Sequence, residues 1–287
     1  MANFYFKKFV IKQSDSAMKV NTDGVLLPAW VSLPSEQNYS QSSNEGSLFK
    51  VLDIGSGTGV VSLILAQRLE EELFKTTPNS IDKSNLGFSI TAIDVDKDSY
   101  LETKYNFENS IWREQLEALH ISLQDYCAEQ KVKLDRFDLI LSNPPFFTNS
   151  LNAPSHKRNI ARHNCALPLE ALLNSSALLL TKRGILAVIL PIAEGETLLE
   201  MVSKSNQFEI KRVCKVKTLL KRPAKRYMIE LSRSQTLKSE QIIAGNKNKL
   251  LREETLVMQK EGGEFYTNQY NELVKRFYSK EFKIKSI

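Results

Sequence analysis

A glycine-rich turn between two apolar segments is the feature that most restricts the fold of this chain. Residues 49–54 form a short apolar run with β-branched members, as expected of a buried parallel strand. Residues 53–59 read Asp-Ile-Gly-Ser-Gly-Thr-Gly, and the apolar spacing of residues 60–69 is typical of a helix buried against a sheet. Strand, turn and helix together predict the first half of a doubly wound nucleotide-binding unit, and therefore an α/β fold.

The spacing of the glycines indicates which ligand such a turn can hold. They stand at Gly55, Gly57 and Gly59, and Val60 occupies the position where a dinucleotide fingerprint needs its third glycine. S-adenosylmethionine (SAM) has no phosphate, so it requires only close approach of the backbone and a carboxylate for its ammonium group, which Asp53 can supply. The alternative is a tight turn whose glycines serve only its backbone angles.

Two further acidic residues follow predicted strands. Residues 88–93 predict the second strand, and Asp94 at its end is the expected ligand of the ribose hydroxyls. The polar stretch 70–87 reads as a looped insertion that lengthens the usual spacing. Residues 120–125 predict a third strand, whose terminal Asp125 could accept the amine of the cofactor's adenine. For both acids, an ordinary strand-end cap is the alternative.

A proline motif follows the fourth predicted strand, which covers residues 137–142. It consists of Asn143, Pro144, Pro145 and Phe146, and we assign these four residues to catalysis, with Asn143 also beside the cofactor. An amine conjugated to a ring is a poor nucleophile, because its lone pair is delocalised. The Asn143 side-chain oxygen and the Pro144 carbonyl can each accept one N–H and direct the lone pair toward a methyl donor. A proline-ended strand with an asparagine turn is the structural alternative.

Several blocks along the chain resemble one family of enzymes. They are Phe6 to Phe9, Ala17 to Leu27, the glycine turn, Asp94, Asn106, Ser110 to Trp112, the proline motif, Ala161 to His163, Gly184 to Pro191, Glu264 to Thr267 and Arg276 to Tyr278. With these blocks the chain resembles the bacterial tRNA adenine-N6 methyltransferases that modify adenine 37 of a valine tRNA. It departs from the family at Ile111, where proline is usual, and at Asn21, where glycine is usual.

This resemblance implies a fold and an activity. The fold is the class I SAM-dependent methyltransferase fold, a Rossmann-like seven-stranded sheet with an N-terminal extension. We place a hairpin and helix extension at residues 1–33 and the methyltransferase domain at 48–287, within one globular unit. The expected activity is SAM-dependent N6-methylation of adenine in the anticodon loop of a tRNA. The same proline motif also occurs in enzymes that methylate ribosomal guanine or protein glutamine, and an inactive SAM-binding RNA module is a further alternative.

The charge distribution favours a polyanionic partner. The chain has 287 residues and a formal net charge of +6. Basic residues crowd into positions 204–226, where a solvated face is the alternative for residues 204–217. The residues that we assign to substrate and RNA binding are Arg158, Arg162, His163, Lys221, Arg222, Lys225 and Arg226.

Composition also bears on metals, membranes and location. The three cysteines are scattered and the three histidines lack ligand spacing with them, so we expect no metal and a reducing, cytoplasmic location. We find no apolar run of membrane-spanning length, and residues 1–12 carry three lysines without the apolar stretch of a signal peptide. We therefore expect a cytoplasmic monomer that binds tRNA and no membrane.

Overall fold

The computed structural model describes residues 3–16, 18–33, 48–74, 87–133, 136–144, 167–234 and 252–278. The contacts within the chain divide it into two compact units. The first comprises Met1–Ser122 and Leu273–Phe282, and the second comprises Leu123–Glu272 and Lys283–Ile287.

The first unit contains most of the elements predicted around the glycine turn. Its helices and strands are β1 (Asn3–Tyr5), β2 (Val10–Lys12), α1 (Thr22–Trp30), β3 (Phe49–Ile54), α2 (Val60–Phe74), β4 (Phe88–Asp94), α3 (Lys97–Glu108) and β5 (Leu116–His120). Strands β3, β4 and β5 are parallel and adjacent in that order, with Val51 opposite Ile90 and Ile90 opposite Leu116. Because the strands are parallel, the residues that follow β3 and β4 meet at the same edge of the sheet.

The core of this unit forms between the sheet and the helix that follows the glycine turn. Val51 and Leu52 of β3 are fully buried, as are Leu63 and Ile64 of α2. Burial of such side chains stabilises the folded state by about 1.5–3 kcal/mol each. Helix α2 is thereby fixed on the sheet, and the turn at its N-terminus is fixed with it.

The N-terminal elements have their own anchors within the first unit. Strands β1 and β2 form an antiparallel hairpin, and the ring of Phe6 stacks on those of Phe9 and Tyr278 at centroid distances of 4.6 and 5.8 Å. Asn21 caps α1, because its side-chain oxygen accepts the Gly24 N–H at 2.9 Å. The family departure at position 21 is therefore compatible with a well-formed helix start.

The second unit carries the remaining elements. They are α4 (Leu123–Lys133), β6 (Phe137–Ser142), α5 (Leu169–Leu179), β7 (Leu180–Pro191), α6 (Ile192–Lys204), β8 (Phe208–Leu219), β9 (Arg226–Arg233), β10 (Arg252–Gln259) and α7 (Asn268–Val274), whose last residues pass into the first unit. Its strands are adjacent in the order β10-β8-β9-β7-β6. The β6–β7 and β10–β8 pairs are parallel, whereas β9 is antiparallel to both of its neighbours.

Two predicted elements differ in the structure. The third strand is Leu116–His120, so the prediction of a strand over 120–125 is wrong. Buried Leu123, Tyr126 and Cys127 follow helical spacing, and packing of this stripe places Asp125 in the first turn of α4. The looped insertion begins later than predicted, because α2 continues to Phe74.

The strand count also exceeds the prediction. Besides the N-terminal hairpin, the residues that the structure describes form eight strands, three in the first unit and five in the second, one more than the predicted seven. The polar strand β10 beside β8 was not predicted. Only Leu256 is buried among its described side chains, and polar residues 252–255 precede the apolar residues 256–258 without alternation, so the sequence gives only a weak strand pattern.

Candidate functional site

The glycine turn holds a backbone conformation that other residues rarely adopt. Gly55, Gly57 and Gly59 have φ angles of +78°, +58° and +77°. The turn is fastened to the end of β4, because the Ile93 carbonyl accepts the N–H groups of Gly55 at 2.9 Å and Ser56 at 3.2 Å. It is therefore a rigid loop at the carboxyl end of two parallel strands.

The three glycines serve different purposes. A Cβ on Gly55 would meet no atom within 4 Å, and a Cβ on Gly57 would meet only the Ser16 hydroxyl oxygen at 4.0 Å. A Cβ on Gly59 would lie 2.8 Å from the Phe107 ring of α3. Gly55 and Gly57 thus leave backbone open to a ligand, whereas Gly59 allows close packing of the turn on α3. This open backbone fits a cofactor that needs close approach without phosphate contacts.

Asp94 links the turn to the end of β4. Its two carboxylate oxygens accept the N–H groups of Gly57 and Asp96, both at 2.9 Å. Burial raises the pKa of the Asp94 carboxyl, and the two backbone hydrogen bonds oppose this rise. Each carboxylate oxygen has a second lone pair, so Asp94 can accept ribose hydroxyls while still holding the turn.

We expect Asp94→Ala to weaken SAM binding roughly 30- to 150-fold, or about 2–3 kcal/mol, because hydrogen bonds to a charged acceptor are lost. Part of the loss will come from release of the Gly57 N–H. Isothermal titration calorimetry measures the SAM dissociation constant directly. Asp98→Ala is the matched control, because Asp98 is exposed. Unchanged affinity in Asp94→Ala would contradict the ribose role and point to Asp96.

Asp53 lies beneath the turn and is almost completely buried, at 1% exposure. Its carboxylate accepts the Ser62 hydroxyl at 2.6 Å. Burial raises the pKa of Asp53 from 3.8 to about 7, the Ser62 hydrogen bond lowers it, and the Asp94 charge raises it further. A carboxyl of this kind gains its charge near neutral pH, and a cationic ligand beside it favours the charged form.

SAM affinity should therefore depend on pH below about 7. In this range the ligand-free protein carries a protonated Asp53, which must lose its proton before it can pair with the SAM ammonium. We expect the dissociation constant to increase by up to about tenfold for each pH unit below that value. Titrations between pH 5.5 and 7.5 test this. Asp53→Asn should bind more weakly at pH 7.5 and lose this pH dependence; a wild-type profile in the variant would rule out Asp53 as its source.

Helix α3 supports the turn from one side. The Thr103 hydroxyl donates to the Gly57 carbonyl at 2.9 Å and lies 3.0 Å from the Ser56 hydroxyl. The Asn106 amide donates to the Thr58 carbonyl at 2.8 Å. Family resemblance is the sequence signal for Asn106, whereas the role of Thr103 depends on a contact that no local sequence pattern indicates.

The second unit holds the start of the proline motif and the basic loop. Asn143 and Pro144 follow β6, and Asn143 is half-buried whereas Pro144 is buried. The loop between β8 and β9 contains exposed Lys221, Arg222 and Lys225. Within this unit Ser142 is opposite Val188 on β7, and Pro191 at the end of β7 is opposite Arg226.

This strand register places Asn143 and the basic loop at the same edge of the second unit's sheet. The strands β6 and β9 are separated only by β7, which corresponds to about 10 Å at the usual strand spacing. A half-buried amide and a group of exposed cations thus share one sheet edge, an arrangement suited to a polyanion that presents an amine.

Several cations of the basic segment, including Lys221 of the loop, are paired with acids. The guanidinium of Arg212 makes two hydrogen bonds of 2.9 Å to Glu254 and lies 3.7 Å from buried Glu230. Lys215 lies 3.8 Å from Glu253, and Lys221 contacts Glu261 at the exposed surface. These contacts give Arg212 a structural role, and they occur both within residues 204–217 and at Lys221 of the loop, where both partners of the pair are exposed.

Comparison with known proteins identifies the family. Residues 41–202 match the model of the methyltransferase small domain. The chain is 34% identical to the tRNA1(Val) (adenine(37)-N6)-methyltransferase of Flavobacterium psychrophilum, over 96% of this chain and 99% of the relative. It is 35% identical to the enzyme of the same name from Christiangramia forsetii, over 96% and 98% of the two chains.

The chain belongs to the tRNA1(Val) (adenine(37)-N6)-methyltransferase family. This membership confirms the resemblance that the sequence blocks indicated, and with it a SAM-dependent methyltransferase.

The fold of this family member agrees with that of a solved structure. A protein described as a predicted O-methyltransferase from Agrobacterium tumefaciens superposes with a TM-score of 0.57 at 14% identity, over 90% of this chain and 98% of that chain. The prediction of a class I methyltransferase fold is thereby confirmed.

Several predicted site residues remain outside the described residues, and others lie in separate units. Pro145, Phe146, Arg158, Arg162 and His163 are not described, nor are the insertions at 34–47 and 75–86. Asp53, the three glycines and Asp94 are brought together in the first unit. Asp125 belongs to the second unit, exposed in the first turn of α4, and its contact with adenine stays a prediction.

Metal-ligand clusters and membrane-spanning helices are both absent from the described part of the chain. In those residues there is no group of three or more histidine, cysteine, aspartate or glutamate side chains placed to hold a metal ion. None of the described helices combines the length and apolar character needed to cross a bilayer.

Proposed function

We propose that this chain transfers a methyl group from SAM to the N6 amine of adenine 37 in a valine tRNA. The observation that carries this proposal is the shared sheet edge of Asn143 and the 221–226 loop. It is supported by the relatives, whose names specify this tRNA and this base. We further propose a cytoplasmic monomer, in keeping with the sequence.

The chain's own groups can activate the amine without a base. The Asn143 side-chain oxygen accepts one N–H of the adenine amine and the Pro144 carbonyl accepts the other, which draws the nitrogen toward tetrahedral geometry. When bound, SAM supplies the electrophilic sulfonium methyl. Asp53, the glycine turn and Asp94 would hold SAM; its methyl group would exchange the bond to sulfur for a bond to the amine nitrogen, and that nitrogen would then release one proton to water. Alignment of the amine with the methyl group and fixed hydrogen-bond acceptors would account for the rate acceleration.

The tRNA target is also physically reasonable for such a site. A base at position 37 is unpaired in the anticodon loop, so its extrusion costs only a few kcal/mol. Lys221, Arg222, Lys225 and Arg226 would contact phosphates near that base. Ribosomal guanine and protein glutamine are the competing acceptors for the same proline motif.

Nucleoside mass spectrometry tests the proposal. Purified protein, SAM and an unmodified valine tRNA should yield one N6-methyladenosine, and a transcript with guanine at position 37 should yield none. Labelled SAM incubated with ribosomal RNA or total protein distinguishes the competing acceptors. Label in either of these, without transfer to valine tRNA, would overturn the assignment, whereas SAM binding without any transfer would favour an inactive RNA-binding module.

Salt dependence tests the basic loop separately. Replacing Lys221, Arg222, Lys225 and Arg226 together with serine should flatten the log–log dependence of tRNA affinity on salt by up to about 3 units, because each lost phosphate contact removes about 0.7–0.9. SAM affinity should not change. The exposed pair Lys182 and Arg183 provides a matched control, since it lies at the opposite end of β7. An unaltered slope in the loop variant would identify the loop as a solvated face.

A further inference from the structure

A buried carboxylate on α3 holds a piece of the N-terminal segment. Glu102 is 2% exposed, and its side chain accepts three backbone N–H groups. They come from Ser14 at 2.5 Å, Asp15 at 3.0 Å and Ser16 at 2.9 Å. Hydrogen bonds to a charged acceptor are stronger than neutral ones, and a buried carboxylate that lost them would be left without compensation. Residues 14–16 are therefore firmly held on α3.

The same helix also binds the glycine turn. One turn beyond Glu102, the Asn106 side chain accepts the Lys12 N–H and donates to the Lys12 carbonyl, both at 2.9 Å. The same amide donates to the Thr58 carbonyl at 2.8 Å. Helix α3 thus connects the N-terminal segment at Lys12 with the glycine turn at Thr58. Displacement of either segment would break hydrogen bonds to this helix.

The held segment lies at the open side of the turn. Ser16 is 1% exposed, and its hydroxyl lies 3.3 Å from that of Ser99. It is also the atom nearest to the position that a Cβ on Gly57 would occupy, at 4.0 Å. The N-terminal segment is therefore the neighbour that a ligand meets beside Gly57.

We propose that Glu102 is a positioning residue for SAM, which acts by holding residues 14–16 as one wall of the cofactor site. The inference rests on SAM being the cofactor of this family and not on the identity of the methyl acceptor. Its test uses no RNA, so a wrong assignment of the acceptor would leave it standing.

The variant Glu102→Gln removes part of the side chain's capacity to accept hydrogen bonds. A glutamine side chain has one acceptor oxygen and an NH₂ group, so at least one of the three backbone N–H groups loses its partner. We expect the dissociation constant for SAM to rise at least about tenfold in calorimetry. In ligand-free protein, hydrogen exchange at the amides of residues 14–16 should accelerate by at least about the same factor.

Glu108→Gln is the matched control, because Glu108 is exposed on the same helix and only 3.9 Å from exposed Lys104. Both readouts should match the wild type in this control. Faster exchange in Glu102→Gln with unchanged SAM affinity would overturn the proposal, since the contact would then be structural only. Unchanged exchange would overturn it as well.

A second measurement on the wild-type protein covers the case in which Glu102→Gln does not fold. Saturating SAM should slow hydrogen exchange at residues 14–16 relative to ligand-free protein, because a wall of the site is stabilised by the ligand that it contacts. Equal exchange rates at these amides with and without SAM would contradict the proposal that residues 14–16 line the cofactor site. The exposed end of α3 near Glu108 should exchange equally with and without SAM.

Discussion

Asn143→Ala should lower kcat for methyl transfer by about 10²- to 10³-fold while leaving SAM affinity within about twofold. The reason is that Asn143 acts on the acceptor amine, and loss of one preorganised polar contact of this kind costs about 2–4 kcal/mol of transition-state stabilisation. Single-turnover transfer to valine tRNA measures the chemical step, and calorimetry measures SAM binding.

Asn174→Ala is a suitable control for this variant. Asn174 is an exposed asparagine on α5 of the same unit, and its removal should leave both quantities unchanged. Normal turnover in Asn143→Ala would eliminate the proposed amine contact. A loss of SAM binding that matched the loss of turnover would place Asn143 on the cofactor instead.

Gly57→Val should reduce SAM affinity by more than about 100-fold, through two effects that act together. The φ of +58° is strained for a β-branched residue, and the new side chain enters the open space beside the turn that a ligand needs. Calorimetry checks the affinity, and thermal unfolding checks that the protein still folds.

Gly262→Val separates strain from steric exclusion. Gly262 has a φ of +94° and equally open surroundings, but it lies in the second unit, far along the chain from the cofactor turn. This control should lose stability and keep its SAM affinity. Wild-type SAM binding in Gly57→Val would remove Gly57 from the cofactor site.

The elements that the sequence predicted correctly are those with strong local patterns. Strands β3 and β6 occur at Phe49–Ile54 and Phe137–Ser142, as predicted, because each is an apolar run ended by glycine or proline. The prediction of a strand over residues 120–125 is wrong because apolar Ile121 and Leu123 alternate with polar residues over this short stretch, as in a strand. Its helical stripe extends to Cys127, and burial of that stripe decided the outcome.

The residues of the candidate site also fall into two groups, those that the sequence could predict and those that it could not. Asp53, Asp94 and the glycines stand at strand ends, where general rules of α/β folds place ligands, so sequence reasoning could select them. Glu102 could not be selected, because its role depends on backbone donors 86 to 88 residues away in the sequence. Gly59 likewise owes part of its importance to the ring of Phe107, in addition to the positive φ that its own turn requires.

The buried Asp53 also has a consequence for handling the protein. Its folded-state pKa of about 7 exceeds the ordinary 3.8, so between these values the folded chain holds a proton that the unfolded chain has released. The free energy of unfolding without ligand therefore declines as pH rises through this window, by at most about 4 kcal/mol. Above the folded-state pKa, Asp53 adds no further pH dependence. A bound ammonium group offsets that loss. The contribution of Asp53 to the stability of ligand-free protein is accordingly larger in mildly acidic than in neutral buffer, and a bound ammonium group reduces this difference.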